Sequence, residues 1–219
     1  MLNQSFALRP RYAGTPRAGS TVRTVNGERG KRGAHVLDAV VEVIAERGLE
    51  AATMRNVAAV AGISLAQVQY YFRSKDELVA SAFQHVTRAF DEKLATVDLS
   101  GPPRKVLRDA LEIWLPLDES RARDARVWLA FSAAAATSPA LKEIAAATDH
   151  ELRVAFARLL DAAAAGGQLA EVVDTESEAA LLLAVVDGLV VQALALPAAA
   201  RTAFVVQSLD THLGRLFHP

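Results

Sequence analysis

From about residue 32 onward, apolar residues return every three or four positions, and most Gly and Pro residues fall between these stretches. Val36, Leu37, Val40, Val41 and Ile44 share one face, which predicts a helix over 32–47 stopped at Gly48. Thr53 reads as the N-cap of a short helix over 54–60, and Ser64 as the N-cap of another over 65–72. Ser74 followed by Glu77 is a capping box, and it opens a long helix over 75–94. "VDLSGPP" (97–103) then breaks the chain. Later helices are predicted over 103–115, 118–136, 138–165, 175–195 and 198–216. Pro116, "TSP" (137–139), Gly166-Gly167 and Pro197 mark the joints. No alternating strand pattern and no repeat of about 20–50 residues occurs, so the chain reads as all-α, with about nine helices and no solenoid.

The longest apolar run, "AALLLAVVDGLVVQALALP" (179–197), is interrupted by Asp187, Gly188 and Gln192. A membrane span tolerates a central acid badly, so this run predicts a buried helix and no membrane association. The last two helices are apolar over too wide an arc for one face of a monomer. That width points to a partner surface, with Gly188, Val191, Phe204 and Leu209 as candidate interface residues. Asp187 within it must find a hydrogen-bond partner.

The segment between 32 and 75 is organised differently, with two very short helices joined by a tight glycine turn. That describes a helix-turn-helix. Val57, Ala58, Ile63 and Val68 face inward, and Gly62 sits where the backbone must adopt φ > 0. Two of the chain's three tyrosines stand at the end of the second short helix. Tyr70 and Tyr71 differ by about 100° around a helix, so they cannot share one job. Phe72 lies one turn beyond Val68 and belongs to the core. Tyr71 lies near that face with its hydroxyl at the rim, and Tyr70 points to the side of Ala66 and Gln67. Either the rings flank a DNA groove, where a tyrosine hydroxyl can donate to a phosphate oxygen, or they cap a small core.

Composition sharpens this reading. The net charge of −1 hides an asymmetry: residues 1–75 carry 11 Lys and Arg against 5 Asp and Glu, the remainder 13 against 20. A basic end on an acidic chain is a nucleic-acid footprint. Residues 1–30 hold Arg9, Arg11, Arg17, Arg23 and Arg29 among Gly, Ser, Thr and Pro, which predicts a disordered basic tail, solvated or lying in a minor groove. No cysteine is present, so disulfides, thiol catalysis and Cys-based zinc sites are excluded. No apolar leader opens the chain, and a soluble cytoplasmic protein is the expectation.

"TMRNVAAVAGISLAQVQYYFRSKDEL" (53–78) resembles the DNA-binding signature of the tetracycline-repressor (TetR) family of bacterial transcription regulators. The match covers 32–80 and runs through Thr53, Arg55, Val57, Ala58, Ala61-Gly62-Ile63-Ser64, Tyr71-Phe72, Ser74-Lys75 and Leu78. Beyond it, the chain matches in helix count and in "VDGL" (186–189). The resemblance implies an all-α homodimer, each protomer having a three-helix helix-turn-helix DNA-binding domain over 31–77 and a larger helical-bundle regulatory body over 78–219. It implies a repressor on a palindromic operator in double-stranded DNA, released by a small-molecule effector. It places Leu65, Ala66, Gln67 and Tyr70 where base edges are read, Arg55 at a base or phosphate contact, Lys75 at the backbone, and Ser64 among the DNA-contacting residues at the start of the second short helix. Gln69 stands where many members carry a phosphate-binding tyrosine, so that role passes to Gln69 or to Tyr71. Chemistry agrees in part: Gln67 can bridge adenine N6 and N7, and Lys75 with Arg73 beside a helix N-terminus makes an anion site. Ser64 and Gln67 also fit a capping box, which would turn Gln67 back onto its own helix.

In the body, Trp114 and Trp128, then Phe83 and Phe131, are the favoured walls of a ligand pocket among alanine-rich helices, each also compatible with plain core. His85, His150 and Gln192 are possible polar anchors. A helical-bundle enzyme is the distant alternative. No Glu-x-x-His, no glycine-rich phosphate loop and no G-x-S-x-G occurs, "DHE" (149–151) places its groups on diverging faces, and no cofactor or metal is expected. A nearer alternative keeps the fold with a filled body and ligand-independent DNA binding. The helix over 75–94 belongs to both parts and is expected to couple them.

Overall fold

The structure, a computed structural model, describes residues 28–218, with side chains from Gly33 onward. The expected basic tail lies outside the described residues up to position 27. Nine α-helices run through the described residues: α1 (Glu28–Arg47), α2 (Met54–Val60), α3 (Leu65–Tyr71), α4 (Lys75–Leu94), α5 (Pro103–Leu111), α6 (Glu119–Ala135), α7 (Pro139–Ala165), α8 (Thr175–Ala195) and α9 (Ala198–Leu216).

Two departures from the sequence reading have local causes. A 3₁₀ turn over Leu49–Ala51 follows Gly48, whose φ of 78° lets the chain leave α1 and re-enter a tight turn. The helix expected over 103–115 ends at Leu111. Beyond it the bonds tighten to three-residue spacing, as in Ile113 N–H to Ala110 O and Trp114 N–H to Leu111 O, before Pro116 forbids a helical residue 115.

α1 packs on α2, α4 and α6, and α2 on α3, so the N-terminal three helices form a head seated on the start of α4. α7 lies at the centre of the body, against α4, α5, α6 and α8, while α9 covers α8 and α5. One apolar core is continuous from Val36 in α1 to Leu216 in α9. Polar bridges staple α4 and α6 to the head and to each other. His85 meets Asp38 of α1 at 2.8 Å, Arg123 faces Glu42 of α1 at 3.9 Å, and Lys93 meets Asp124 at 2.6 Å. α8 is long and apolar enough to cross a membrane by length and composition, yet its inner face packs on α6, α7 and α9. A short antiparallel bridge between Leu169 and Phe217 ties down the end of the described chain.

Candidate nucleic-acid interface and sensing core

α3 has only seven residues and would not persist alone. It is held from three sides. Val68 is fully buried against the core and Phe72 is nearly so. At its start Ser64 Oγ accepts from Gln67 N–H (3.2 Å), and Gln67 Oε1 accepts from Ser64 N–H (3.0 Å). The capping box is therefore formed, and of the two roles open to Gln67, its carbonyl oxygen is committed to the helix start. At the far end Tyr71 is half-buried against the core, with Tyr70 edge-on to it at 5.4 Å.

The outward face that results is a row of side chains. Ala66, Gln67, Gln69 and Tyr70 are exposed, Tyr70 at 59%, with Arg55 exposed at the start of α2. Ser64 is exposed at the cap, while Leu65 and Lys75 are half-buried at the edges. All nine sequence-predicted DNA residues thus lie along α2, α3 and the start of α4, with Tyr71 the most inward.

The anion site expected at the start of α4 is partly occupied by the protein itself. Glu77 does not close the predicted box on Ser74; its carboxylate reaches past the cap and accepts from Arg73 N–H at 2.8 Å. Ser74 Oγ still caps Glu77 N–H (3.1 Å). Lys75 Nζ lies 3.5 Å from both the carboxylate and the carbonyl of Glu50. A phosphate approaching there would draw Lys75 from an exposed pair, which is worth little in water.

Three residues absent from the sequence reading brace the head. Asn56 Nδ2 donates to Ala51 O (2.8 Å), Glu50 holds Lys75, and His35 Nε2 donates to Ala61 O (2.9 Å). Asn56 sits within motif reach of Ala51, whereas Glu50 meets Lys75 across 25 residues. His35 has no short-range signal, because its partner is 26 residues away.

In the body the four rings chosen from sequence do converge. Phe83 stacks on Phe131 at 4.7 Å and meets Trp128 at 5.7 Å. Phe90 and Phe156 extend the series. Phe90 meets Trp128 at 6.1 Å and Trp114 at 5.8 Å, and Trp114 meets Phe156 at 6.0 Å. Phe83 and Phe131 are fully buried, Trp114 nearly so, and Trp128 is half-buried. Ring packs on ring. A surface cleft of about 340 Å³ lies elsewhere, lined by Lys93, Thr96, Val97, Asp109, Glu112, Ile113 and Arg121, and none of the four rings borders it.

One carboxylate meets the aromatic series, and two more, on α4 and α7, are raised by burial. The Trp128 indole N–H points to Asp187 Oδ1 at 3.4 Å, a long hydrogen bond. Burial against apolar atoms raises the Asp187 carboxyl above the usual range, even though more than a third of the residue remains open to solvent; Asp149 adds to the rise and the indole opposes it. Asp91, next to Phe90, is pushed up to about 6 by burial, then by Glu151 and Glu92. Burial also raises Glu151, against His150. Of the proposed polar anchors, His150 acts on this group through the Glu151 carboxyl. His85 pairs with Asp38, and His150 and Gln192 are exposed. Among the described residues, no three His, Asp or Glu gather into a metal site.

The candidate interface residues divide. Val191 is 49% exposed, and space is open where a Cβ would stand on Gly188. With Leu181 and Ala184 they form one outward stripe along α8. Phe204 is half-buried against the core. Leu209 does not fit the expectation. It belongs to the inward stripe Val205, Leu209, Leu213 and Leu216 of α9 and is buried in its own protomer.

Comparison with known proteins places both parts of the chain. Residues 36–82 match the family model of bacterial regulatory proteins of the tetR family, and residues 103–218 match the BetI-type transcriptional repressor C-terminal model. The chain is similar to the HTH-type transcriptional regulator PksA of Bacillus subtilis (strain 168), 32% identical over 75% of this chain and 79% of PksA. It is also similar to BetI of Stenotrophomonas maltophilia (strain R551-3), 31% identical over 53% of this chain and 61% of BetI. Among solved structures, a transcriptional regulator from Rhodococcus sp. Rha1 superposes with a TM-score of 0.76 at 37% identity, covering 84% of this chain and 95% of that one. A regulator from Saccharomonospora viridis, solved in complex with choline, shares the fold with a TM-score of 0.77 at 22% identity, covering 87% and 100%.

Proposed function

The chain belongs to the TetR family of bacterial transcription regulators, and from that footing we propose that it is a repressor acting as a homodimer on a palindromic operator and released by a small organic cation. The observation that carries the DNA-binding part is the outward row Ala66, Gln67, Gln69 and Tyr70 on a helix otherwise locked by its cap and its core. Base reading falls mainly on Ala66 and Tyr70, because Gln67 keeps only its amide N–H groups for the groove. Arg55 and Lys75 flank the row and take phosphates. The open stripe of Leu181, Ala184, Gly188 and Val191 supports pairing through α8. Two heads so joined must present α3 about 34–36 Å apart, or a multiple of that, to meet successive major grooves.

Trp128 supports a cationic effector. Its half-buried ring sits beside Phe90 and Phe83, and its edge is on the raised carboxyl of Asp187. Aromatic faces and an under-neutralised carboxylate recognise a quaternary ammonium group. An effector that prefers one body shape shifts the head separation by its differential affinity. The tight ring-on-ring packing favours the competing reading of a filled body that answers to no small molecule.

One experiment separates them. Choline and its uncharged carbon isostere are added to the full chain, and thermal stability and retention on promoter DNA are measured. A stabilisation and a release specific to choline, lost in Asp187→Asn, support the cation reading. Equal or no response to both compounds supports the filled body. Protein that stays monomeric and shows no salt-sensitive DNA retention removes the whole proposal.

A further inference from the structure

The peptide unit between Ala61 and Gly62 is the pivot of the reading head. Ala61 ends α2, its N–H bonded back to the Val57 and Ala59 carbonyls. Gly62 then reverses the chain at a φ of 65°, and two residues later Ser64 caps α3. A net change in the ψ of Ala61 or the φ of Gly62 swings α3 against α2. From the α2 side the turn is closed by Ile63 N–H to Ala58 O (3.0 Å) and a longer Gly62 N–H to Ala59 O (3.4 Å). No atom lies within 4 Å of where a Cβ would stand on Gly62, so packing does not hold the turn at that point.

The Ala61 carbonyl belongs to the last turn of α2, where helical acceptors have no partner within the helix. It accepts from His35 Nε2 at 2.9 Å. His35 rides on α1 immediately before Val36 and Leu37, which are buried in the core, while the residue as a whole is exposed and its bond to Ala61 is partly buried. α1 is thus the rigid mount, and the imidazole is the strut that reaches the pivot. Because the acceptor is a carbonyl, Nε2 must carry the proton.

We propose that His35 is a positioning residue for DNA reading: its hydrogen bond to the Ala61 carbonyl sets the angle at which α3 enters the groove. The inference rests on α3 being the base-reading helix. A strut of this kind acts on the specific complex, where α3 must meet base edges, and leaves sequence-independent phosphate binding untouched.

The test uses the full chain, a duplex that the wild-type protein selects from a randomised pool, and a scrambled duplex of the same composition. His35→Ala should lower affinity for the selected duplex about three- to tenfold, the range of one hydrogen bond, leave the scrambled duplex unchanged, and keep the salt slope of the wild type, with a melting temperature lowered by no more than a few degrees. His35→Gln, whose amide N–H can reach the same carbonyl, should recover part of the ratio between duplexes. An unchanged ratio in His35→Ala overturns the inference. So does an equal loss on both duplexes, which marks a general structural role, or a salt slope shallower by about one, which marks a direct phosphate contact. Tyr70→Ala is run beside them. If it also leaves the ratio unchanged, the reading of α3 itself fails; if it alone lowers the ratio, only the role of His35 fails.

Discussion

Asp91 sits on α4, the helix shared by head and body, and is pushed up to about 6 from an ordinary 3.8 by burial and by Glu151 and Glu92. A rise of about two pH units corresponds to about 3 kcal/mol of differential interaction. The carboxyl is only partly buried, and solvent screening trims the usable part to about 1–2 kcal/mol. The sign follows from linkage. The native carboxyl holds its proton more tightly than the unfolded one, so between 3.8 and about 6 the native state binds more protons, and stability falls as pH rises through that window. Above about pH 6 the full penalty is present, and below the unfolded value it is gone. Asp91→Asn removes the charge while keeping the shape. It should stabilise the protein by about 1–2 kcal/mol near pH 8 and by almost nothing near pH 4. The assay is urea unfolding at both pH values and one fixed protein concentration, reading midpoint and slope separately. Glu151→Gln should stabilise less when added to Asp91→Asn than when made alone, because the two acids repel each other. A gain equal at both pH values, or no gain near pH 8, would refute the assignment of the cost to the Asp91 charge.

Further outcomes follow from the head and the core. Tyr70→Ala should relax sequence preference while leaving stability within about 0.5 kcal/mol, since the ring is largely exposed; binding to selected and scrambled duplexes measures both sides of this. Lys75→Ala should weaken binding to all sequences alike and flatten the slope of log affinity against log salt by about one, as read by titrations at several salt concentrations. Gly62→Ala meets no neighbouring atom, so its cost is backbone strain alone, about 1–2 kcal/mol at a φ of 65°, measurable by chemical unfolding. Phe131→Ala should cost about 3–5 kcal/mol, because the ring is fully buried and stacked on Phe83.

Much of the architecture was legible in the linear pattern. Apolar spacing, caps at Thr53, Ser64 and Ser74, and breakers at Pro102, Pro197 and the Gly166-Gly167 pair are local signals, and helix ends are set by local hydrogen bonding. The start of α1, which reaches Glu28 inside the expected tail, and the end of α5 were misplaced by a few residues, where Trp114 and Leu115 kept an apolar period inside a tight turn. The outward face of α3 was legible too, because a seven-residue helix with Val68 buried, and Phe72 buried just past its end, leaves few outward positions.

Other features belong to the tertiary structure alone. His35 on Ala61, Trp128 on Asp187 and His85 on Asp38 join residues 26, 59 and 47 positions apart. Periodicity places a residue on a face of its own helix; it does not say which helix that face meets. The α9 stripe shows the same limit, since Leu209 is as apolar as any interface residue and only the packing of α9 on α8 and α5 turns it inward. The amino-acid sequence by itself determined an all-helical chain with a short capped helix bearing an exposed tyrosine. Side-chain packing across the core decided that six rings lie against one another, which carboxylates are short of solvent, and which carbonyl an imidazole holds.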